Sequence, residues 1–203
     1  MDNLTQSFEE KFEEIFLNVI ETDFLEIGET LGIKRIESSL IFHFFNSEID
    51  FSSNGVHDLK RHLLTPAIKY VLSNYLLIKT DLKLKNAKAL VSLRELSNSG
   101  PLFSSFTTNK GKIIETTYSE KLSDLEKRCI ELGGRNLENP SYDLSYEFLP
   151  FKNVPIILNF NDKDEMMGSS SVFLFQEDVL NYLDLESVSI ISTYLTGLLI
   201  KNA

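Results

Sequence analysis

The hydrophobic residues of this chain change period several times along its length, and that change limits the available folds more than any other feature. From Ser7 the residues Phe8, Phe12, Ile15, Phe16, Val19 and Ile20 recur at helical spacing. Residues 39–45 are β-branched and aromatic, and Asn46-Ser47, Ile49-Asp50-Phe51 and Asn54-Gly55 follow in the manner of a hairpin or small meander. Helical spacing returns with Ile68, Val71, Leu72, Tyr75 and Leu76. In the last third Leu144, Tyr146 and Phe148 alternate with Ser145 and Glu147, and two apolar runs follow at Val154–Phe160 and Ser171–Phe175. The order helices, hairpin, helices, meander, helix excludes alternating βαβ units. It predicts an α+β fold in which an antiparallel meander and a hairpin pack with several amphipathic helices.

Local signals bound these elements. Ser7-x-x-Glu10 has capping-box form, and Thr22-Asp23 can cap a second helix over Phe24–Leu31 that Gly32 stops, which makes residues 7–32 a helical hairpin. Thr65-Pro66 starts the central helix. Residues 80–88, with Lys79, Lys83, Lys85 and Lys88 close together, read as an exposed connection. Ala89–Leu96 enters a further element and is broken at Asn98-Ser99-Gly100-Pro101. Helices are expected from Phe103 to Thr117, from Ser119 to Leu132 before Gly133-Gly134, over Gln176–Tyr182 and over Leu185–Ile200. Pro150 is expected to interrupt the first strand of the meander.

Length and composition set the outer bounds. The 203 residues are read as one domain, 1–203, with the hairpin at 7–32 and a core over about 36–200. A formal charge of −10 repels phosphate backbones, so nucleic acid is not an expected partner. Cys129 is the single cysteine, so the fold stands on packing without an internal disulfide. No apolar stretch approaches the roughly 20 residues of a membrane span, and the first residues lack a basic and an apolar signal region. The expectation is a cytoplasmic protein without membrane partners. His43, His57 and His62 match no metal spacing, and the common nucleotide, hydrolase and zinc-protease motifs are absent.

Three residue groups could carry chemistry. Asp162, Asp164 and Glu165 gather three carboxylates in four residues, the oxygen ligands that a hard divalent cation needs, although a charged hairpin tip is the simpler reading. Gly133, Gly134 and Arg135 bring backbone close to something and offer a planar guanidinium fork, although helix termination also explains the glycines. Arg94 and Glu95 are an ion pair or two pocket residues. Cys129, spaced with Leu125 and Leu132, reads as a core residue.

The stretch Val91-Ser92-Leu93-Arg94-Glu95-Leu96 is followed by Leu132-Gly133-Gly134-Arg135, Leu149-Pro150-x-x-x-Val154-Pro155, Asp164-Glu165, Leu174-Phe175 and Tyr182-Leu183-x-x-Glu186. In that order these motifs resemble the domain of unknown function 3786 family of anaerobic bacteria and archaea. The resemblance covers most of the chain and implies no established activity. Some relatives carry an added cysteine-rich iron–sulfur segment, which hints at anaerobic one-carbon or corrinoid metabolism. This chain departs from the pattern at Met166-Met167-Gly168, where the family reads Glu-Phe-Pro, and at Gln176, where an Asp is usual. Each missing carboxylate weakens a metal site. The leading expectation is therefore a non-catalytic module that binds a small molecule, cofactor or protein, with Arg94, Arg135 and Tyr182 as polar contacts. An acid–base or metal-assisted enzyme using Asp162, Asp164 and Glu165, with Asp143 and Glu147 nearby, is the alternative. A subunit that docks a partner is the third. No cofactor is identified.

Overall fold

The computed structural model describes residues 3–77, 89–96 and 101–201, with side chains described for 7–77, 89–96 and 110–201. These residues form an α+β fold with two antiparallel sheets. Two compact units share the chain: Met1–Asn86 with Leu180–Ile190, and Ala87–Val179 with Ile191–Ala203.

The first unit contains α1 (Asn3–Ile20), α2 (Phe24–Thr30), β1 (Lys34–Ile36), β2 (Ser39–Phe44), β3 (Ser47–Ser52), β4 (Gly55–Asp58) and α3 (Pro66–Tyr75). Its four strands lie in sequence order. Strand alternation sends Leu40, Phe42 and Phe44 inward from β2, while His43 stays exposed opposite Glu48. Ile49 and Phe51 of β3 complete the inner layer, and Phe51 meets Phe24 edge-on with ring centroids 5.6 Å apart. Two of the expected caps form: Asp23 accepts from Glu26 N, and the Thr65 hydroxyl accepts from Ile68 N ahead of Pro66, whereas Ser7 lies inside α1, which begins earlier at Asn3.

The second unit contains β5 (Leu90–Ser92), α4 (Leu93–Leu96), α5 (Pro101–Tyr118), α6 (Leu122–Glu131), β6 (Arg135–Asn136), β7 (Leu144–Phe151), β8 (Val154–Asn161) and β9 (Ser170–Gln176). The last helix, α7 (Leu185–Ile200), has its residues from Ile191 onward in this unit. The sheet order is β5-β9-β8-β7-β6. Strand β8 is central and buried on both faces, which is why its sequence is a near-continuous apolar run. Its one polar core residue, Asn159, accepts a 2.7 Å hydrogen bond from Ser145 Oγ of β7.

Four sequence expectations change. Pro150 does not end its strand: β7 runs on to Phe151 through a register shift between Phe148 and Phe151, which accommodates a residue without an N–H. The helix expected at Gln176–Tyr182 is only a 3-10 turn at Val179–Asn181. Helix α6 begins at Leu122, because Glu120 adopts φ +63° and breaks the chain after Ser119. The meander gains two short edge strands, β5 and β6. The lysine-rich segment around residues 79–88 and the break at 98–100 lie outside the described residues.

Gly133-Gly134 ends α6 as expected, and each glycine has a separate cause. Gly133 adopts φ +75°, the left-handed stop. A Cβ on Gly134 would stand 2.8 Å from Phe148 Cε1 and 2.9 Å from the carbonyl oxygen of Cys129. The carbonyl is backbone and cannot swing aside, so Gly134→Ala is expected to cost about 1–3 kcal/mol in denaturant unfolding, whereas an unchanged midpoint would show that α6 tolerates a wider exit.

Candidate functional site

The short strand β5 pairs with β9 in the register Val91 to Phe175 and Ser92 to Leu174. At Ser92 the chain turns at once into α4, and the turn is fixed by a reciprocal cap. Glu95 accepts from Ser92 N at 2.6 Å and from Ser92 Oγ at 2.8 Å, and Glu95 N returns a longer bond to Ser92 Oγ. Those bonds hold the Glu95 carboxyl below the ordinary carboxylate range. Glu95 is thereby committed to the helix start, and Arg94 lies beside it on the exposed side.

Helix α5 closes against β9 at one glycine. A Cβ on Gly111 would come within 3.1 Å of Ser171 Oγ and 3.2 Å of Ser171 O. The bare Cα lets Ser171 Oγ donate to Gly111 O at 3.1 Å, while Glu115 accepts from Ser171 N at 2.9 Å. This approach sets the preceding residue, Lys110, against the sheet. Lys110 is only 7% exposed, and burial pushes its amine down to about 8.

A cavity of about 220 Å³ lies where these pieces meet. Leu93, Val172, Phe173 and Phe175 supply apolar wall, and Ser92, Ser171 and the buried Ser192 of α7 supply hydroxyl-bearing wall. Arg94 and Lys110 line the same space. Its volume falls below the roughly 300–1,000 Å³ of drug-sized sites, so it has room only for a small guest. Two cations lining a small, largely apolar cavity favour an anion.

The structure separates the other sequence candidates from this cavity or assigns them bonds elsewhere. Arg135 sits on β6 and pairs with its cross-strand neighbour Glu147 at 2.9 Å. Because β5, which leads into Arg94, and β6 are opposite edges of a five-stranded sheet, four strand spacings of about 4.8 Å separate the two strands. Gly133 and Gly134 belong to the α6 exit described above. Asp162 Oδ1 accepts from Glu120 N, Lys163 N and Ser169 Oγ. Asp164 Oδ1 accepts from Met166 N and Met167 N, which keeps its carboxyl low. Glu165 is exposed in the same turn. Among the described residues no group of three or more His, Cys, Asp or Glu could hold a metal ion. Asp143 accepts from Asp162 N across the base of that loop. Tyr182 belongs to the first unit and is buried. Cys129 is fully buried, and burial followed by the nearby Glu126 charge pushes its thiol up to about 12, so it is no nucleophile.

Lys110 escaped the sequence reading, although a signal for it exists. Lys110, Ile114 and Tyr118 recur every four residues, and all three are buried. A lysine standing in the apolar stripe of a helix is the mark that composition and motif searches pass over.

A wider groove of about 630 Å³ lies in the first unit, lined by Asp58, His62, His57 and Lys69 among others. Asp58 there accepts from Lys60 N at 2.6 Å and lies 3.2 Å from His62 Nδ1. Its carboxyl is low: burial works against the charge, and the bonds from Ser47, Lys60 and His62 outweigh it. That groove mixes charges of both signs along an open surface.

Among the described residues no helix is long and apolar enough to cross a membrane. No curated protein and no solved structure matches the chain. The family model for a domain of unknown function, DUF3786, matches residues 23–197. That span contains the α2 cap, both sheets and the cavity, and the chain belongs to the DUF3786 family.

Proposed function

We propose that this protein is a binding module for a small organic anion, held in the cavity between α4, α5 and β9. The observation that carries the reading is the placement of Lys110, a lysine 7% exposed that lines a cavity also lined by Arg94. A buried amine and an exposed guanidinium on one small cavity give it a cationic lining, which favours an anion over a neutral guest. Arg94 supplies the planar fork that matches a carboxylate at the rim. The serines make part of the wall polar, although the Ser92 and Ser171 hydroxyls donate to Glu95 and to Gly111 O, and Phe173, Phe175 and Leu93 limit the ligand to a short carbon skeleton. The chain as a whole is acidic, so a buried cation gives a local field opposite to the global one and selects small anions that can enter. The single cysteine fits work in a reducing cytoplasm.

The test is a thermal-shift titration of the full chain with short mono- and dicarboxylates and inorganic phosphate. A ligand that binds only the native state raises the midpoint in a saturable way. Arg94→Ala and Lys110→Met are each expected to weaken the response by roughly 10- to 100-fold in Kd, the worth of one charge-assisted hydrogen bond. Titrations unaffected by either substitution would move the anion elsewhere.

A further inference from the structure

Resting on the anion-binding reading above, we infer that the ligand of the cavity is a compact apolar monocarboxylate, one oxygen of which accepts a hydrogen bond from the Phe173 N–H. That oxygen takes the place of a missing strand carbonyl, because the cavity opens where the β5–β9 ladder stops. Glu177 N donates to Ala89 O, so the backbone groups of Glu177 point to the β5 side of β9. Every second residue of an antiparallel strand does the same, which assigns Phe175, Phe173 and Ser171 to that side, and the register with β8 runs through them without a shift. Ser171 agrees, because its N–H donates to Glu115 of α5. Pairing between β5 and β9 ends at Ser92 and Leu174. The residue due opposite Phe173 is Leu93, which opens α4 and turns its carbonyl along the helix axis. The Phe173 N–H is left without a strand carbonyl opposite it, and its neighbours Leu93, Gly111 and Ser171 line the cavity with it.

The wall around that donor selects an apolar body. The Ser92 and Ser171 hydroxyls already donate to Glu95 and to Gly111 O, and Arg94, Lys110 and Ser192 each keep an interaction within the fold. The two cations supply positive charge, and the amide supplies the directed hydrogen bond to an oxyanion. A second carboxylate, or the further oxygens of a phosphate, would be buried without donors of their own. Leu93, Val172, Phe173 and Phe175 offer carbon surface instead, and a short linear or branched chain covers it.

The experiment titrates the full chain, isotope-labelled for amide NMR, with acetate, propionate, 3-methylbutanoate, succinate and inorganic phosphate. The Phe173 amide proton is expected to move downfield in a saturable way with the monocarboxylates. Kd should tighten about fourfold for each carbon added, the worth of one buried methylene, so 3-methylbutanoate binds well over tenfold tighter than acetate. Succinate and phosphate should bind at least about tenfold more weakly than 3-methylbutanoate. Phe173→Pro removes the N–H from a position where no ladder bond uses it, and should abolish the binding that Phe173→Ala only weakens. If circular dichroism shows that the proline variant does not fold, the Phe173 resonance of the parent protein decides alone. An unmoved Phe173 amide in a protein that 3-methylbutanoate saturates would overturn the inference. So would tighter binding of succinate or phosphate, and either result leaves the anion-binding reading standing. If none of the probes binds, both readings fall.

Discussion

Lys110→Met is expected to unfold at a higher temperature than the parent protein at pH 7, by roughly 5–10 °C for a gain of about 2–3 kcal/mol. The reason is a linkage argument. The amine has its ordinary value of 10.5 in the unfolded chain and about 8 when buried in the fold. Between these values the unfolded chain binds more protons than the native protein, so the fold gains stability as the pH rises. Below about 8 the native lysine must carry its charge inside the protein and the full cost is present; above 10.5 both states are neutral and the cost is gone. Methionine has a similar length and no charge, and it fits the same apolar stripe with Ile114 and Tyr118. The advantage of the variant should therefore be largest at pH 7, shrink from pH 8 upward and vanish near 10.5, as followed by paired melts across that range. An advantage that is absent at pH 7, or flat with pH, would mean that the ammonium is well satisfied where it lies. The same substitution should weaken anion binding. A stabilising change that removes binding is the pattern of a site kept at the expense of the fold.

What was legible in the sequence follows from how local each feature is. Thr65-Pro66 and Asp23 mark helix starts through bonds that span three residues, and both form as read. The alternation of β2 and the apolar run of β8 report burial directly, because period and face are one property. Strands β1 and β6 carry no such signal: they have three and two residues, and all are exposed. Pro150 reads as a break because a missing N–H forbids a regular ladder, yet a bulge evades the rule. The site was legible only in fragments. Ser92-x-x-Glu95 is a capping box that leaves Arg94 beside the turn, and the sequence names Arg94 without explaining it. Whether Arg94 keeps company with Arg135 or with Lys110 depends on strand order. Placing β9 between β5 and β8 joins Arg94 to the residues around Ser171 and sends Arg135 to the far edge. No spacing within the chain encodes that order.

Asp184→Ala is expected to destabilise the protein by about 3 kcal/mol, lowering the melting midpoint by roughly 6–12 °C, because one carboxylate serves three donors. Its Oδ1 accepts from Ser187 N at 2.7 Å and caps the first turn of α7. Its Oδ2 accepts from Tyr70 Oη at 2.5 Å and from Asn74 Nδ2 at 3.2 Å, both on α3. Asn74 Oδ1 accepts in return from Asp184 N at 3.3 Å, so the start of α7 is tied to α3 from both sides. Tyr70 is 8% exposed, and burial, followed by the bond to Asp184 and the Asp184 charge, holds its phenol well above the ordinary range. Alanine would leave that hydroxyl buried without its acceptor, which is the costly part of the change. Asp184→Asn keeps the oxygen that caps α7 and turns an NH2 toward α3, where Tyr70 Oη can accept from it although Asn74 Nδ2 loses its acceptor, and should cost only about 1 kcal/mol. Tyr70→Phe in the Asp184→Ala background removes the orphaned hydroxyl and should recover part of the loss, a coupling that a double-mutant cycle measures directly. A near-neutral asparagine variant together with additive Tyr70 and Asp184 effects would show that the carboxylate acts as a helix cap alone and that the tie to α3 contributes nothing.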